Sequence, residues 1–341
     1  MGLLVRELGE FGLIERLRAI VDRVDARSIV NIGDDAAVVR YDRPVVMTTD
    51  ALVEGVHFRD DLIDMVSVGY KSLVASLSDV AAMGGQPLHA MVALALPFSE
   101  QVERLEAIYE GLADACRQYD VAVVGGDVVS TSGPLVVTVS VTGELLGEHP
   151  LLRSGAKVGD LVFVTGDVGG SAAYLHLRNQ ASSLLLSEND VWILQQKHIR
   201  PVPQLMAGRI FAQNAGCTSL NDVSDGLSSE LHEIASASGV RLMIEADRIP
   251  TLPSVRHYAR LAGVDALDFA LYGGEDYQLV GTIDRTSAGI FLPLMQAYGV
   301  RISLIGQVKR GESGVYLQTN SGLKEIKKKG YDHFVVRDEH A

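Results

Sequence analysis

Ala75-Ser76-Leu77-Ser78-Asp79-Val80-Ala81-Ala82-Met83 is an apolar helical stretch carrying a single carboxylate. It closes a run from Met65 to Met83 that reads as one helix with a mainly apolar lower half. An unpaired buried carboxylate in such a helix costs several kcal/mol. Asp79 therefore needs a buried salt bridge, for instance to Lys71, or a role as a ligand. Outward from this helix, Val45–Thr49 reads as a short buried strand and Leu88–Leu96 as the next. Ser99 reads as the N-cap of a helix running to about Tyr119, with Glu100 and Glu103 suiting its positive end. Val121–Val124 and Leu135–Thr142 are β-branched strand runs. The order β-α-β-α-β-β predicts an α+β layer rather than a plain doubly wound sheet.

At 341 residues the chain has room for two domains, each with its own core. The polar stretch Gly147-Glu148-His149-Pro150 separates the layer above from a second α/β region, so domains of 1–147 and 148–341 are expected. In the second region Leu161–Thr165 reads as strand and Gly169–Leu177 as helix. Val202–Gln213 and Leu227–Ser238 continue as helices, and Val240–Glu245 as strand. Further strands are expected at Gln278–Ile283, Ile302–Gln307 and Gly314–Gln318, with a helix near Ala288–Ala297.

Composition excludes several classes. An apolar fraction of 47% with 21% charged residues marks a soluble globular chain. A formal charge of −13 argues against nucleic acid, whose phosphates demand a basic surface. The two cysteines, Cys116 and Cys217, form no metal spacing and no disulfide framework. No apolar run approaches a membrane span. The first turns carry Glu7 and Glu10 in place of a signal-peptide profile. A cytoplasmic protein with no membrane partner is expected.

Five short acidic motifs carry the chemistry: Gly33-Asp34-Asp35, Thr48-Thr49-Asp50, Ser78-Asp79, Gly125-Gly126-Asp127 and Asp222-Val223-Ser224-Asp225-Gly226. Two unit charges about 4 Å apart repel by about 4 kcal/mol at an effective dielectric near 20. A fold that gathers such carboxylates needs cations, and hard oxygen donors suit Mg²⁺ shared with phosphates. Each motif also has a plainer reading. Gly125-Gly126-Asp127, ending a short strand, is either a tight turn or a close backbone approach to a ligand. Ser224 or Asp225 can serve as N-cap of the helix from Leu227, although three polar groups in five residues exceed a cap's needs. Thr165-Gly166-Asp167-Val168-Gly169-Gly170-Ser171 joins strand to helix, and the N–H groups there can hold a phosphate oxygen or merely form a packing turn. Arg153 can pair with a phosphate or stay on the surface. His57 and Glu275 sit in glycine-lined settings. No Walker A or protein-kinase set is present.

In order, these motifs resemble the thiamine-monophosphate kinase family, of the superfamily that includes aminoimidazole ribonucleotide synthetase. The likeness runs from Gly12 to Phe334. It includes Leu52-Val53-Glu54-Gly55-Val56-His57-Phe58, Leu77 to Gly85, Arg153-Ser154-Gly155-Ala156-Lys157, Gly273-Gly274-Glu275-Asp276-Tyr277 and Gly330-Tyr331-Asp332-His333-Phe334. The resemblance implies a two-domain aminoimidazole ribonucleotide synthetase-like fold. Its N-terminal domain would share a β-barrel-like sheet with a twin in a homodimer, and ATP and several Mg²⁺ ions would sit at the cleft between domains. It implies Asp35, Thr48, Thr49, Asp50, Asp79, Asp127, Asp222 and Asp225 as metal ligands. Tyr109, Gly126, Asp127, Arg153 and Ser224 are implied as ATP contacts, and His57, Glu275 and Tyr331 as contacts to thiamine monophosphate.

Three positions depart from the family pattern. Val128-Val129 replaces the usual Thr-Thr, Gln278 stands where Glu is common, and Lys329 precedes Gly330-Tyr331 without the Trp often found just upstream. The implied activity is phosphorylation of thiamine monophosphate by ATP, with no general base required. An aminoimidazole ribonucleotide synthetase-like ATP-dependent ligase and a non-catalytic Mg²⁺–nucleotide sensor are the alternatives.

Overall fold

A computed structural model describes residues 2–23, 25–32, 36–180 and 186–331. The chain opens with α1 (Val5–Leu8), α2 (Glu10–Val21), β1 (Ser28–Val30), β2 (Val38–Val39) and β3 (Val45–Val53). It continues with α3 (Met65–Ala82), β4 (Gly85–Pro97), α4 (Val102–Tyr119), β5 (Ala122–Thr131) and β6 (Val136–Leu145). Next come β7 (Leu161–Thr165), α5 (Gly170–Asn179), α6 (Glu188–Ile199), α7 (Leu205–Gln213), β8 (Cys217–Val223), α8 (Leu227–Ser238) and β9 (Arg241–Glu245). The last elements are α9 (Pro253–Ala262), α10 (Ala266–Tyr272), β10 (Gln278–Ile283), α11 (Ala288–Ala297), β11 (Ile302–Lys309), β12 (Gly314–Thr319) and β13 (Gly322–Ile326). Two compact units result: residues 1–150 with 199–213, and residues 151–198 with 214–341. Among the described residues, no helix is long and apolar enough to cross a membrane.

The first unit is a four-stranded sheet in the order β3-β6-β4-β5. Helix α3 packs on the sheet against β3, β6 and β4, and α4 packs on α3. Helix α3 starts at Asp64, whose carboxylate accepts the Ser67 N–H at 2.8 Å and caps the first turn. From Ser67 to Ser78 every residue of α3 is buried. A helix apolar nearly all round belongs in a core. Leu73, Leu77, Leu105, Ile108 and Leu112 are fully buried between α3 and α4, each contributing about 1.5–3 kcal/mol. The two helices approach so closely that only glycine fits at the crossing. An added Cβ at Gly69 would lie 1.8 Å from the Ile108 carbonyl oxygen, and one at Gly111 would lie 1.7 Å from that of Val66.

Some elements extend past their expected limits, and in two cases this changes how the motifs are placed. Strand β3 continues to Val53, so Thr48-Thr49-Asp50 lies mid-strand, held by β6 along its length. Strand β5 runs straight through Gly125-Gly126-Asp127 to Thr131, because β4 pairs with it in parallel over that whole span. Ser99 is not the cap of α4. The helix begins after Gln101, where the Val102 N–H reaches Leu3 O and buried Glu100 meets Arg104.

The second unit is a seven-stranded sheet, β13-β12-β9-β11-β7-β10-β8, antiparallel except for the β12–β9 pair. Its core gathers Val162, Val164, Leu231, Ile234, Leu242, Ile244, Val280 and Val315.

Gly111→Ala is expected to lower stability by at least about 2 kcal/mol, since backbone at that crossing cannot yield to a methyl group. The shift of the urea midpoint at unchanged m-value measures it.

Candidate functional site

In the first unit the candidate oxygens lie on β3, α3 and β5. Alternation along β3 turns Val46, Thr48, Asp50 and Leu52 towards α3, and Met47, Thr49 and Ala51 to the outer face. On the inner face Thr48 Oγ1 donates to Asp79 Oδ2 at 2.6 Å, and Ser76 Oγ donates to Asp50 Oδ2 at 2.7 Å. Burial raises the Asp50 pKa, against the Ser76 hydrogen bond and the nearby His57, both of which lower it. The ring of His57 is itself oriented, because the Val53 N–H donates to Nδ1 at 3.0 Å. On the outer face Ser140 Oγ donates to Thr49 Oγ1 at 2.9 Å, while Asp127 is exposed opposite Ala93.

Tyr109, Gly126 and Asp127 line one pocket, together with Ile14, Arg18 and Val92. Gly126 is required there, since an added Cβ would lie 2.0 Å from Val92 O. Burial pushes the Tyr109 phenol up, so it stays neutral. Ile14 and Arg18, one turn apart on α2, carry no motif, and sequence reasoning passed over them.

In the second unit three distant segments are tied together through their backbones. The Glu275 N–H donates to Ser224 O at 2.6 Å, the Tyr277 N–H to Val223 O at 2.9 Å and the Tyr331 N–H to Asp225 O at 3.2 Å. The approach excludes side chains, for an added Cβ would lie 2.5 Å from Ser224 O at Gly274 and 2.6 Å from Asp225 O at Gly330. Asp222, Ser224, Asp225, Glu275 and Tyr331 are thereby brought to one place. Arg153 joins the edge of this set, with Nε donating to Asn221 Oδ1 at 3.0 Å and Nη1 to Glu233 at 3.2 Å.

Two expectations about this region are corrected. The N-cap of α8 is Gly226, at φ 114°, with no side-chain cap bond, so neither Ser224 nor Asp225 is used for that purpose. The glycine turn before α5 does not offer its N–H groups to a phosphate. Asp276 Oδ2 accepts the Gly169 N–H at 2.7 Å, and its carboxylate also takes the N–H groups of Gly170 and Ser171. That carboxylate is itself buried, and burial pushes it up to about 7. An anion site exists at this helix start, as the glycines suggested, but the chain fills it itself.

Glu230 was missed. It is 3% exposed, accepts from Asn221 Nδ2 and takes the Asp225 N–H at 3.3 Å. Burial, and then the charges of Asp222 and Asp225, push its pKa up to about 8. The signal available was weak, a carboxylate at the fourth position of a helix that opens Leu227-Ser228-Ser229, next to the Asp222 to Asp225 motif. His198 was missed too; it is buried, with Nδ1 3.0 Å from Ser171 Oγ and 3.3 Å from Glu275 Oε2.

Carboxylate and hydroxyl oxygens dominate both sets, which is the donor chemistry Mg²⁺ takes. Burial is the main cause of the raised Glu230, and the charges of Asp222 and Asp225 add to it; a cation beside those two would relieve that second contribution. Among the described residues no three His, Cys, Asp or Glu side chains form a single metal-holding group. In the first unit Asp50 and Asp79 stand instead as hydroxyl-bonded pairs, and Asp127 accepts the Val128 N–H at 2.9 Å. Gly33-Asp34-Asp35 lies outside the described residues, as do Asp332, His333 and Phe334.

Residues 33–145 match the model of the AIR synthase related protein N-terminal domain, and residues 157–318 that of the C-terminal domain. The thiamine-monophosphate kinase of Bacillus subtilis is 38% identical over 314 residues, covering 89% of this chain and 93% of its own. The chain belongs to the thiamine-monophosphate kinase family. The Salmonella typhimurium thiamine-monophosphate kinase is 36% identical, with 96% of this chain and 99% of its own covered. Among solved structures, AaThiL complexed with AMPPCP and TMP superimposes with a TM-score of 0.76 at 33% identity, over 97% of this chain and 99% of its own. The Stenotrophomonas maltophilia thiamine-monophosphate kinase gives a TM-score of 0.79 at 33% identity, over 91% and 96%. The hydrogenase maturation protein HypE shares the fold, with a TM-score of 0.76 at 18% identity over 94% and 98% of the two chains.

Glu230 makes stability depend on pH in this family member. Its folded pKa stands above the unfolded value of 4.5, so between pH 4.5 and about 8 the native state holds a proton that the unfolded chain releases. Stability contributed by this group is therefore present below pH 4.5 and lost as pH rises to about 8, by up to a few kcal/mol. In EDTA, urea midpoints of wild type should fall across that window, and Glu230→Gln should flatten the fall.

Proposed function

We propose that this protein transfers the γ-phosphoryl group of ATP to the phosphate of thiamine monophosphate, giving thiamine diphosphate and ADP. The observation that carries this reading over a ligase is the 38% identity to a thiamine-monophosphate kinase across 89% of the chain. A fold neighbour of another name stands at 18%. The solved relative bound to AMPPCP and TMP supports the same pair of substrates here.

The acceptor is a phosphate monoester whose second pKa is near 6, so it is anionic at neutral pH. Its oxygen attacks the γ-phosphorus of ATP, the bond from that phosphorus to the β–γ bridging oxygen breaks, and ADP departs with the electron pair. No side chain has to remove a proton. What the residues must do is hold two anions together in line. Tyr109 and Gly126 would form the nucleotide pocket, and Arg153 would supply a guanidinium for phosphate oxygens. Thr48, Thr49, Asp50, Asp79 and Asp127 in the first unit, and Asp222 and Asp225 in the second, would hold Mg²⁺, with Asp35 added from the motif. Mg²⁺ bound there would screen the phosphates from each other. Ser224 would face the nucleotide; His57, Glu275 and Tyr331 would face thiamine monophosphate.

A homodimer accords with the first unit's outer face. Met47 is 72% exposed there and Val129 50%. Strands β3 and β5 are the sheet's two edges, the arrangement that lets a second copy extend the sheet. The proposed site of action is the cytoplasm.

Incubation with Mg²⁺-ATP and thiamine monophosphate should yield thiamine diphosphate and ADP, with no stable ³²P on the protein from γ-labelled ATP; ATP binding without product would favour a sensor. Asp79→Asn should remove at least 99% of turnover, a thousandfold loss being of the order expected for a lost electrostatic group, while circular dichroism stays native. Loss of fold in that variant would return Asp79 to a structural role. Met47→Glu should shift sedimentation from dimer towards monomer, and an unshifted dimer would place the interface elsewhere.

A further inference from the structure

We propose that His198 is the positioning residue for Glu275, fixing the carboxylate that meets the cationic half of the phosphate acceptor; this rests on the kinase reading above. Glu275 holds a left-handed backbone, φ 64°, and Tyr277 after next holds another at φ 49°. Such conformations cost a non-glycine residue about 1–2 kcal/mol each and persist where the surroundings over-determine them. Here the Ser224 carbonyl receives the Glu275 N–H on one side, while Asp276 is locked onto the start of α5 on the other. The backbone of Glu275 is thus fixed before its side chain is considered.

The side chain is then met by a buried imidazole. His198 lies in the last turn of α6, its side chain 3% exposed, with its ring 5.5 Å from that of Tyr174. Burying a polar ring costs free energy unless its nitrogens are bonded, and Nδ1 has two oxygens within reach, Ser171 Oγ and Glu275 Oε2. An ionised carboxylate only accepts, so the proton belongs on Nδ1, where Ser171 Oγ at 3.0 Å and Glu275 Oε2 at 3.3 Å share it. The side chain of Glu275 remains 24% exposed. Thiamine monophosphate carries a thiazolium ring, a fixed positive charge, and an oriented carboxylate is its natural complement.

The nitrogen involved makes the test specific. Asparagine places its amide N–H near the position of Nδ1, and glutamine places its own near Nε2. His198→Asn should therefore keep the KM for thiamine monophosphate within about threefold of wild type. His198→Ala and His198→Gln should each raise it about tenfold or more, the scale of one hydrogen bond to a charged group, with the KM for ATP unchanged. A packing role would instead favour the larger glutamine. The Asn and Gln comparison stands even where the Ala variant fails to fold. Unchanged KM for thiamine monophosphate in Ala and Gln, equal loss in Asn and Gln, or a parallel rise in the KM for ATP would overturn the proposal. A wild-type protein with no turnover of thiamine monophosphate would overturn the kinase reading and this inference together. An active wild type with indifferent variants would overturn this inference alone.

Discussion

Oxygen-bearing side chains on a helix with no wet face are the constraint that shapes the first unit. Helix α3 is buried on all sides from Ser67 to Ser78, yet its own Ser76 and Asp79 face the polar positions of β3. A carboxylate in such surroundings is tolerable only where hydroxyls satisfy it or a cation stands close. The glycine crossing of α3 and α4 lets the apolar side of the helix be sealed completely. Ser76 and Asp79 then meet the strand carrying Thr48 and Asp50, while Ser72 turns back to the Gly69 carbonyl and Tyr70 reaches Tyr119 on α4. Packing and chemistry are therefore set by one decision, the placement of that helix against that strand.

The second unit solves a different problem, how to bring backbone from three places within hydrogen-bonding distance. Glycines at 274 and 330 remove the side chains that would keep the segments apart, and two residues accept left-handed backbones to complete the arrangement. Asp276 shows how economical the result is. Its neighbour Glu275 faces the candidate site while its own carboxylate ends a helix in the core.

Much of this was legible in the sequence where the signal was local. The apolar run of α3, the β-branched strands of the first layer and the ordered acidic motifs each declare themselves within a few residues. The misread points depend on partners far along the chain. Gly125-Gly126-Asp127 looks like a strand end, because glycines usually punctuate, yet β4 holds it in extended register. The turn before α5 looks like a phosphate loop, because its occupant, Asp276, lies 107 residues away. His198 and Glu230 carry no motif of their own and become visible only once Glu275, Asp222 and Asp225 are placed beside them. Asp35 was legible as a motif, and its surroundings lie outside the described residues.

The path of the chain has a consequence for how it is made. Helix α7 belongs to the first unit, where Gly208 lies against the backbone of Ala81, so closely that a Cβ would come within 2.3 Å of its carbonyl oxygen. During synthesis, which proceeds from the N-terminus, the first layer therefore waits with one side of α3 uncovered while residues 151–198 emerge from the ribosome. The first strand of the second sheet, β7, is extruded before the first core is closed. The nascent protein thus carries an open apolar seam for some tens of residues, a window in which holding chaperones have a surface to recognise.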